Sequence, residues 1–329
     1  MKRILATVLT LALTLTLCVA CGKQQETTTV RLSEVTHSVF YAPQYAALSL
    51  GFFAQEGLDV QLTNGGGADK VMTAVLAGQA DIGLAGPEAC IYVHNEGRAD
   101  APVVFAQLTK RDGSFLVGRS DAPFAWSDLK GKTIIGGRKG GMPEMTLEYV
   151  LRQNGIVPQV DAVVDTSIQF NMMAGAFTGG QGDYVALFEP TATLLEQEGK
   201  GVVLTSIGQD SGEIPYTAYF AAESYLEENA DVVQRFTNAV ARGQTWVQTH
   251  TAREIAEAVA DAFPDTSVEV LTAVAQRYLD IDAWTATPVM EQSALERLET
   301  VMETAGELTA RPDFDAVVNN SFATAAIEK

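Results

Sequence analysis

The sequence predicts an α/β protein of two lobes with a helical C-terminal third, and three observations predict it. The chain has 329 residues, more than a single hydrophobic core usually serves. From Thr29 onward, short apolar runs alternate with helical patterns in two successive units, which argues for mostly parallel sheets covered by helices. The last third shows helical periodicity alone. Hydrophobic residues make up 47% of the chain, enough for well-filled cores and too many for a disordered polymer.

In the first unit, Val30 to Val35, Leu58 to Leu62, Ile82 to Leu84 and Val103 to Leu108 read as strands. Between them, Gln44 to Phe53 reads as a helix ending near Gly51, Ala68 to Leu76 as a helix stopped by Gly78, and Pro87 to His94 as a helix with proline in its first turn. In the second unit the polar turn Ser127 to Lys132 leads into strand Thr133 to Ile135. Helix Pro143 to Asn154, strand Ala162 to Val164, helix Ile168 to Phe177, strand Tyr184 to Leu187, helix Pro190 to Glu198 and strand Val202 to Thr205 follow. Tyr216 to Ala221 reads as a further strand after the loop Gly212 to Pro215. Beyond it, Val232, Val233, Phe236, Ala239, Val240, Gly243, Trp246 and Val247 recur at three- and four-residue steps, an amphipathic stripe read as core. Residues 253 to 262, 267 to 279 and 291 to 305 continue as shorter helices.

The N-terminus has a different character. Met1-Lys2-Arg3 is a short positive start, Ile4 to Leu17 an apolar run, and Ala20-Cys21-Gly22 a small-residue close. This is the pattern of a secretory signal peptide over residues 1–20. Cys18-Val19-Ala20-Cys21 resembles a bacterial lipobox, with Cys18 standing where leucine is usual. The resemblance implies cleavage before Cys21 and lipidation of that cysteine, with residues 21–28 as a polar tether to the membrane. Cleavage would remove two of the 22 basic residues and none of the 41 acids, taking the formal charge from −19 to −21. So acidic a surface argues against nucleic acid and against adsorption to anionic lipid heads, leaving the anchoring to the lipid. Cys90 would then be the single free thiol, in the apolar run Ala89 to Val93, and no intramolecular disulfide can form.

Four motifs in register carry a family resemblance. Phe40-Tyr41-Ala42-Pro43-Gln44-Tyr45-Ala46-Ala47 with Gly51-Phe52-Phe53 and Glu56 to Val60 is the first; Val71 to Gly86, centred on Gly78-Gln79-Ala80-Asp81-Ile82-Gly83, is the second. Asp128 to Lys132 and Phe188-Glu189-Pro190 are the third and fourth. Together they resemble the ABC-importer binding proteins for nitrate, sulfonates, taurine and thiamine-pyrimidine precursors. The resemblance implies a two-lobed, type II periplasmic-binding fold with the C-terminal helices packed on lobe 1. Lobe 1 would hold residues 29–115 plus 216–329, and lobe 2 residues 116–215. Hinge crossovers are expected near Ser114 to Gly118 and Tyr216 to Ala221, with the ligand in the cleft they close.

Candidate ligand contacts follow from position. Gly140, Gly141 and Met142 precede a helix whose first amides suit an acceptor or anion. His37 and Tyr41 lie between the first strand and the first helix and offer polar tips on flat rings. Gly86 and Glu88 follow the third strand; Glu88 reads equally as a helix-start acid. Gln107 ends the next strand as an amide partner. Glu189, after an apolar strand and before a proline-started helix, would meet an amine or ring N–H, as the aromatic-Glu-Pro segment of the aminopyrimidine-binding relatives implies, or would cap that helix. Tyr216 leads the second crossover and would stack on a flat ring or line the hinge.

The function expected is therefore the extracytoplasmic solute-binding component of an ABC importer, a monomer anchored to the cell membrane and working with a permease and its ATPase. Glu88 and Glu189 favour a nitrogen heterocycle such as an aminopyrimidine, while the glycine-rich helix start favours the alternative, an alkanesulfonate, nitrate or related anion. The remote alternative is an enzyme like the eukaryotic pyrimidine synthase that shares the fold. That enzyme carries a cysteine-rich iron-binding run which this chain lacks, along with any CxxC, HExxH, GxSxG or P-loop pattern. No catalytic residue, metal or cofactor is expected.

Overall fold

The computed structural model describes residues 27–328. The leader, Cys21 and most of the tether lie outside the described residues. Ten strands form two five-stranded sheets. The first contains β1 (Thr28–Glu34), β2 (Leu58–Asn64), β3 (Ile82–Ala85), β4 (Pro102–Thr109) and β10 (Thr217–Ala222), in the order β2-β1-β3-β10-β4. The second contains β5 (Ser114–Gly118), β6 (Thr133–Ile135), β7 (Val163–Asp165), β8 (Tyr184–Phe188) and β9 (Val202–Ser206), in the order β7-β6-β8-β5-β9. Each sheet with its helices is called a lobe below.

One strand in each sheet runs against the others. β10 is antiparallel to both β3 and β4, and β5 is antiparallel to both β8 and β9; the remaining pairings are parallel. The reason is geometric. The parallel strands point their carboxyl ends at the cleft. A segment crossing from the opposite lobe enters from the cleft side and must run the other way. Ser114–Gly118, read as a hinge segment alone, is therefore also a strand, fully buried along its length between β8 and β9. The crossovers are tied to each other where they leave the first sheet: the buried hydroxyls of Thr109 and Thr217 lie 2.6 Å apart.

Local signals set most element bounds. The expected Gln44 to Phe53 helix is two helices, Ala42–Ser49 and Phe52–Gln55, because Gly51 turns left-handed at φ 72° between them. The Ala230–Thr249 helix buries Val233, Phe236, Ala239, Val240, Gly243 and Val247, the predicted stripe without its partly exposed Val232 and Trp246. Gly243 allows its close packing on Ala42–Ser49: a Cβ there would stand 2.2 Å from the Pro43 carbonyl oxygen. The Trp284 indole N–H donates to the Phe40 carbonyl at 2.8 Å, fixing the C-terminal region over the segment after β1. The C-terminal helices do not rest on the first lobe alone. The Gln292–Ala305 helix also packs on Met142–Gln153 of the second lobe.

Candidate ligand-binding cleft

Segments at the carboxyl ends of the strands converge on a cavity between the sheets. Val35 and Thr36 follow β1, Gly66 to Asp69 follow β2, and Gly86 and Glu88 follow β3. From the second lobe come Arg138 and Gly141 to Pro143 after β6, Gln169 and Phe170 after β7, and Phe188 at the end of β8. Tyr41 contributes from the short helix Val39–Tyr41, and Tyr216 and Thr217 from the second crossover. Water centres could range over about 70 Å³ inside it.

The sequence candidates divide. Tyr41, Gly86, Glu88, Gly141, Met142 and Tyr216 line the cavity. Gly86 has to be glycine here, since a Cβ would fall 1.9 Å from Glu88 Oε2 and 2.7 Å from Met142 Cγ. Four candidates do not line the cavity. His37 sits outside the cavity, bonded through Nδ1 to Glu34 at 3.0 Å and through Nε2 to the Ala262 carbonyl at 2.7 Å, and stacked on Phe263. The Glu34 hydrogen bond raises its pKa, against the effect of burial. Gln107 is buried at the hinge, where its amide donates to the Thr109 carbonyl at 3.0 Å and its own carbonyl accepts from Gln244. Gly140 has its carbonyl taken by the Tyr92 hydroxyl at 3.0 Å and its amide by Glu144 Oε2 at 3.0 Å. Glu189 takes the helix-capping role, with a cation added. Its side chain is fully buried, but Oε1 accepts from Arg277 at 2.7 Å and from Thr193 Oγ1 at 2.8 Å, and Oε2 accepts from the Thr193 amide at 2.8 Å. A carboxylate so satisfied has both oxygens partnered within the chain and joins the Thr193 turn to the Val268–Asp280 helix.

Three features of the lining escaped the sequence reading. Arg138 reaches the cavity from the Gly-Gly-Arg-Lys-Gly-Gly run, 3.7 Å from Asp69 across the cleft. Gly66 and Gly67 bring a backbone turn to the rim; three consecutive glycines before a helix were the available signal. The rings of Phe170 and Phe188 lie 5.5 Å apart, tilted by 55°, on one wall.

The electrostatics centre on Glu88. It is 1% exposed, and its Oε2 has no hydrogen-bond partner. Burial pushes its pKa up to about 7, while the Arg138 charge and nearby backbone amides hold it down. Behind Tyr216, burial lifts Asp112 to about 7, and burial drives the Tyr216 hydroxyl well above its ordinary range. The described lining contains no histidine, cysteine, serine or lysine. Among the described residues no cluster of three metal-ligating side chains forms, and no helix is long and apolar enough to cross a membrane. Such a site can enclose, stack and hydrogen-bond a small molecule.

A protein-family profile described as NMT1/THI5 like matches residues 39–253. YtlA of Bacillus subtilis (strain 168), named as a binding protein, is 44% identical over 305 residues, covering 92% of this chain and 91% of its own. The chain is also similar to the alkanesulfonate-binding protein SsuA from Xanthomonas axonopodis pv. citri, solved with MOPS bound. There the TM-score is 0.72 at 16% identity, over 90% of this chain and 99% of SsuA. The nitrate-binding protein NrtA from Synechocystis PCC 6803 gives a TM-score of 0.71 at 16% identity, over 92% of this chain and 89% of NrtA. At these identities the likeness is one of fold. The desulfurization enzyme DSZB shares the fold too, with a TM-score of 0.63 at 15% identity, so fold alone does not separate a binder from a catalyst.

Proposed function

The chain belongs to the NMT1/THI5-like family, and from that premise we propose that it is the extracytoplasmic solute-binding component of an ABC importer. Its cargo is a small, flat nitrogen heterocycle bearing an amino or ring N–H group, of which an aminopyrimidine is the simplest type. One observation carries the ligand class: Glu88 lines an enclosed cavity, and its buried Oε2 lacks a partner. An unmet buried acceptor is costly, and a ligand N–H would satisfy it with a charge-assisted bond. Tyr41, Phe170, Phe188 and Tyr216 supply the aromatic walls a flat ring needs. An anion would meet the carboxylates of Glu88 and Asp69 against the single guanidinium of Arg138.

The second reading, an alkanesulfonate, nitrate or similar anion, is favoured by Arg138 beside the start of the Met142–Gln153 helix. A thermal-shift panel of aminopyrimidines and alkanesulfonates at pH 8 separates the two. A ligand at a hundredfold excess over its Kd adds ~2.7 kcal/mol of apparent stability, which a melting curve resolves. Stabilisation by aminopyrimidines is expected; stabilisation by sulfonates alone overturns the heterocycle reading, and turnover of any stabilising ligand overturns the binding reading itself.

Attachment to the membrane through acylated Cys21 completes the proposal. Cys21→Ser should move the protein from the membrane fraction to the soluble fraction. An unchanged distribution would mean that Cys21 carries no anchor.

A further inference from the structure

Gly140 and Gly141 were expected to face a ligand, yet the loop that carries them, residues 136–141, makes three polar contacts with the opposite lobe. Three separate parts of the first lobe reach it. Asp69, in the first turn of Ala68–Leu76, lies 3.7 Å from Arg138 Nε. Tyr92, on Glu88–Asn95, donates its hydroxyl to the Gly140 carbonyl at 3.0 Å. Glu307, just beyond Gln292–Ala305, lies 3.4 Å from Lys139 Nζ. Gly140 turns left-handed at φ 69°, which presents its carbonyl to Tyr92, and Glu144 of the loop's own helix holds the Gly140 amide. The two ion pairs have the same polarity: cations on the second lobe, acids on the first.

We propose that this loop is an electrostatic clasp, in which Arg138 and Lys139 seize Asp69 and Glu307 and hold the cleft shut at its mouth. The clasp concerns closure and not the ligand, so it stands whether the cargo is a heterocycle or an anion; it rests on the cleft reading only for its purpose. Lys139 is 72% exposed and Arg138 45% exposed, so each pair is weak singly. An exposed pair shifts an equilibrium by up to about fivefold. That suffices here, because open and closed states of such proteins differ by only a few kcal/mol. Weakness also suits a trap that must release its cargo.

The test needs no ligand. Hydrogen exchange of the empty full-length protein is followed by mass spectrometry in peptides covering residues 64–75 and 136–145, with the Ala230–Thr249 helix as internal control. In 1 M salt the screening length is ~3 Å, comparable to the pair distances, against ~10 Å at 0.1 M. Raising salt to 1 M should speed exchange in both peptides together by about two- to fivefold and leave the control unmoved. At low salt, Lys139→Glu and Glu307→Lys should each do the same, and the double swap should restore wild-type protection. Insensitivity to salt and to both single changes, or failure of the folded double variant to recover, would overturn the clasp. Melting curves of all three variants show whether each is folded.

Discussion

Glu88→Gln makes the empty protein more stable at pH 8 and a poorer trap for an amine. The sign follows from the direction of the shift. Burial raises the folded-state pKa of Glu88 from an ordinary 4.5 to about 7, so between those values the folded protein holds a proton that the unfolded chain has released. Stability therefore falls as pH rises through that window and levels off above about pH 7. At ~1.4 kcal/mol per pKa unit, the ionised side chain costs the fold ~3 kcal/mol at pH 8. Glutamine is the neutral isostere of the protonated acid and carries no such cost. Urea denaturation should place the variant above wild type at pH 8 by an amount of that order, and level with it at pH 4.5. Asp112 and Glu144, also raised to about 7 by burial, keep part of the wild-type slope in the variant. Binding changes the opposite way: losing one charge-assisted hydrogen bond should weaken an aminopyrimidine by ~10–100-fold. Equal stability at pH 8, or undiminished affinity for an aminopyrimidine, would remove Glu88 from the centre of the site. A residue that costs stability and improves capture is what a binding site selects.

Arg277→Met should be the most damaging single change at the junction of the lobes. Arg277, on the Val268–Asp280 helix, reaches both Glu189 and Glu196, each bonded to a separate guanidinium nitrogen at 2.7 and 2.6 Å. Removing it leaves Glu189 buried with only the two donors of Thr193. Breaking a buried pair from one side typically costs ~3–5 kcal/mol, and the Thr193 donors place this case near ~3. Adding Glu189→Gln to Arg277→Met should recover much of that loss, because the remaining group is then neutral. Urea denaturation of the two variants measures this directly; a double variant no better than the single one would mean that Arg277 acts through packing instead. The same turn is held from the first lobe by Ser38, whose hydroxyl donates to the Glu189 carbonyl at 2.5 Å, and by Tyr278, which accepts from the Glu189 amide at 3.2 Å.

These two acids show how far the sequence could be read. Glu88 and Glu189 occupy the same kind of place, after an apolar strand and beside a proline at a helix start. Local pattern cannot tell them apart. The difference is Arg277, 88 residues beyond Glu189 in the chain, and nothing near either glutamate announces it. The partners of His37 were illegible for the same reason, since Ala262 and Phe263 come from the C-terminal region. Elements governed by short-range signals were legible: Ala68–Leu76 and Thr133–Ile135 have the bounds their caps and apolar runs predict. Strand direction was partly legible, because reversal of β5 and β10 is a consequence of crossing between lobes and not of their residues. Arg138 was overlooked because a long cation flanked by glycines reads as a solvated turn until the opposite lobe is in place.

The order of strands also bears on how the chain folds. Strands β5 to β9 are contiguous in sequence, so the second sheet can close as soon as its own stretch is available. The first sheet cannot. β4 joins it only through β10, which follows the entire second lobe. Until residue 217 arrives, β4 is an apolar strand without a neighbour, exposed to association with other chains. Pairing of high sequence separation is also slow. The first lobe is thus the last to be completed, and the second crossover is both a connection between the lobes and the strand that brings β4 into its sheet.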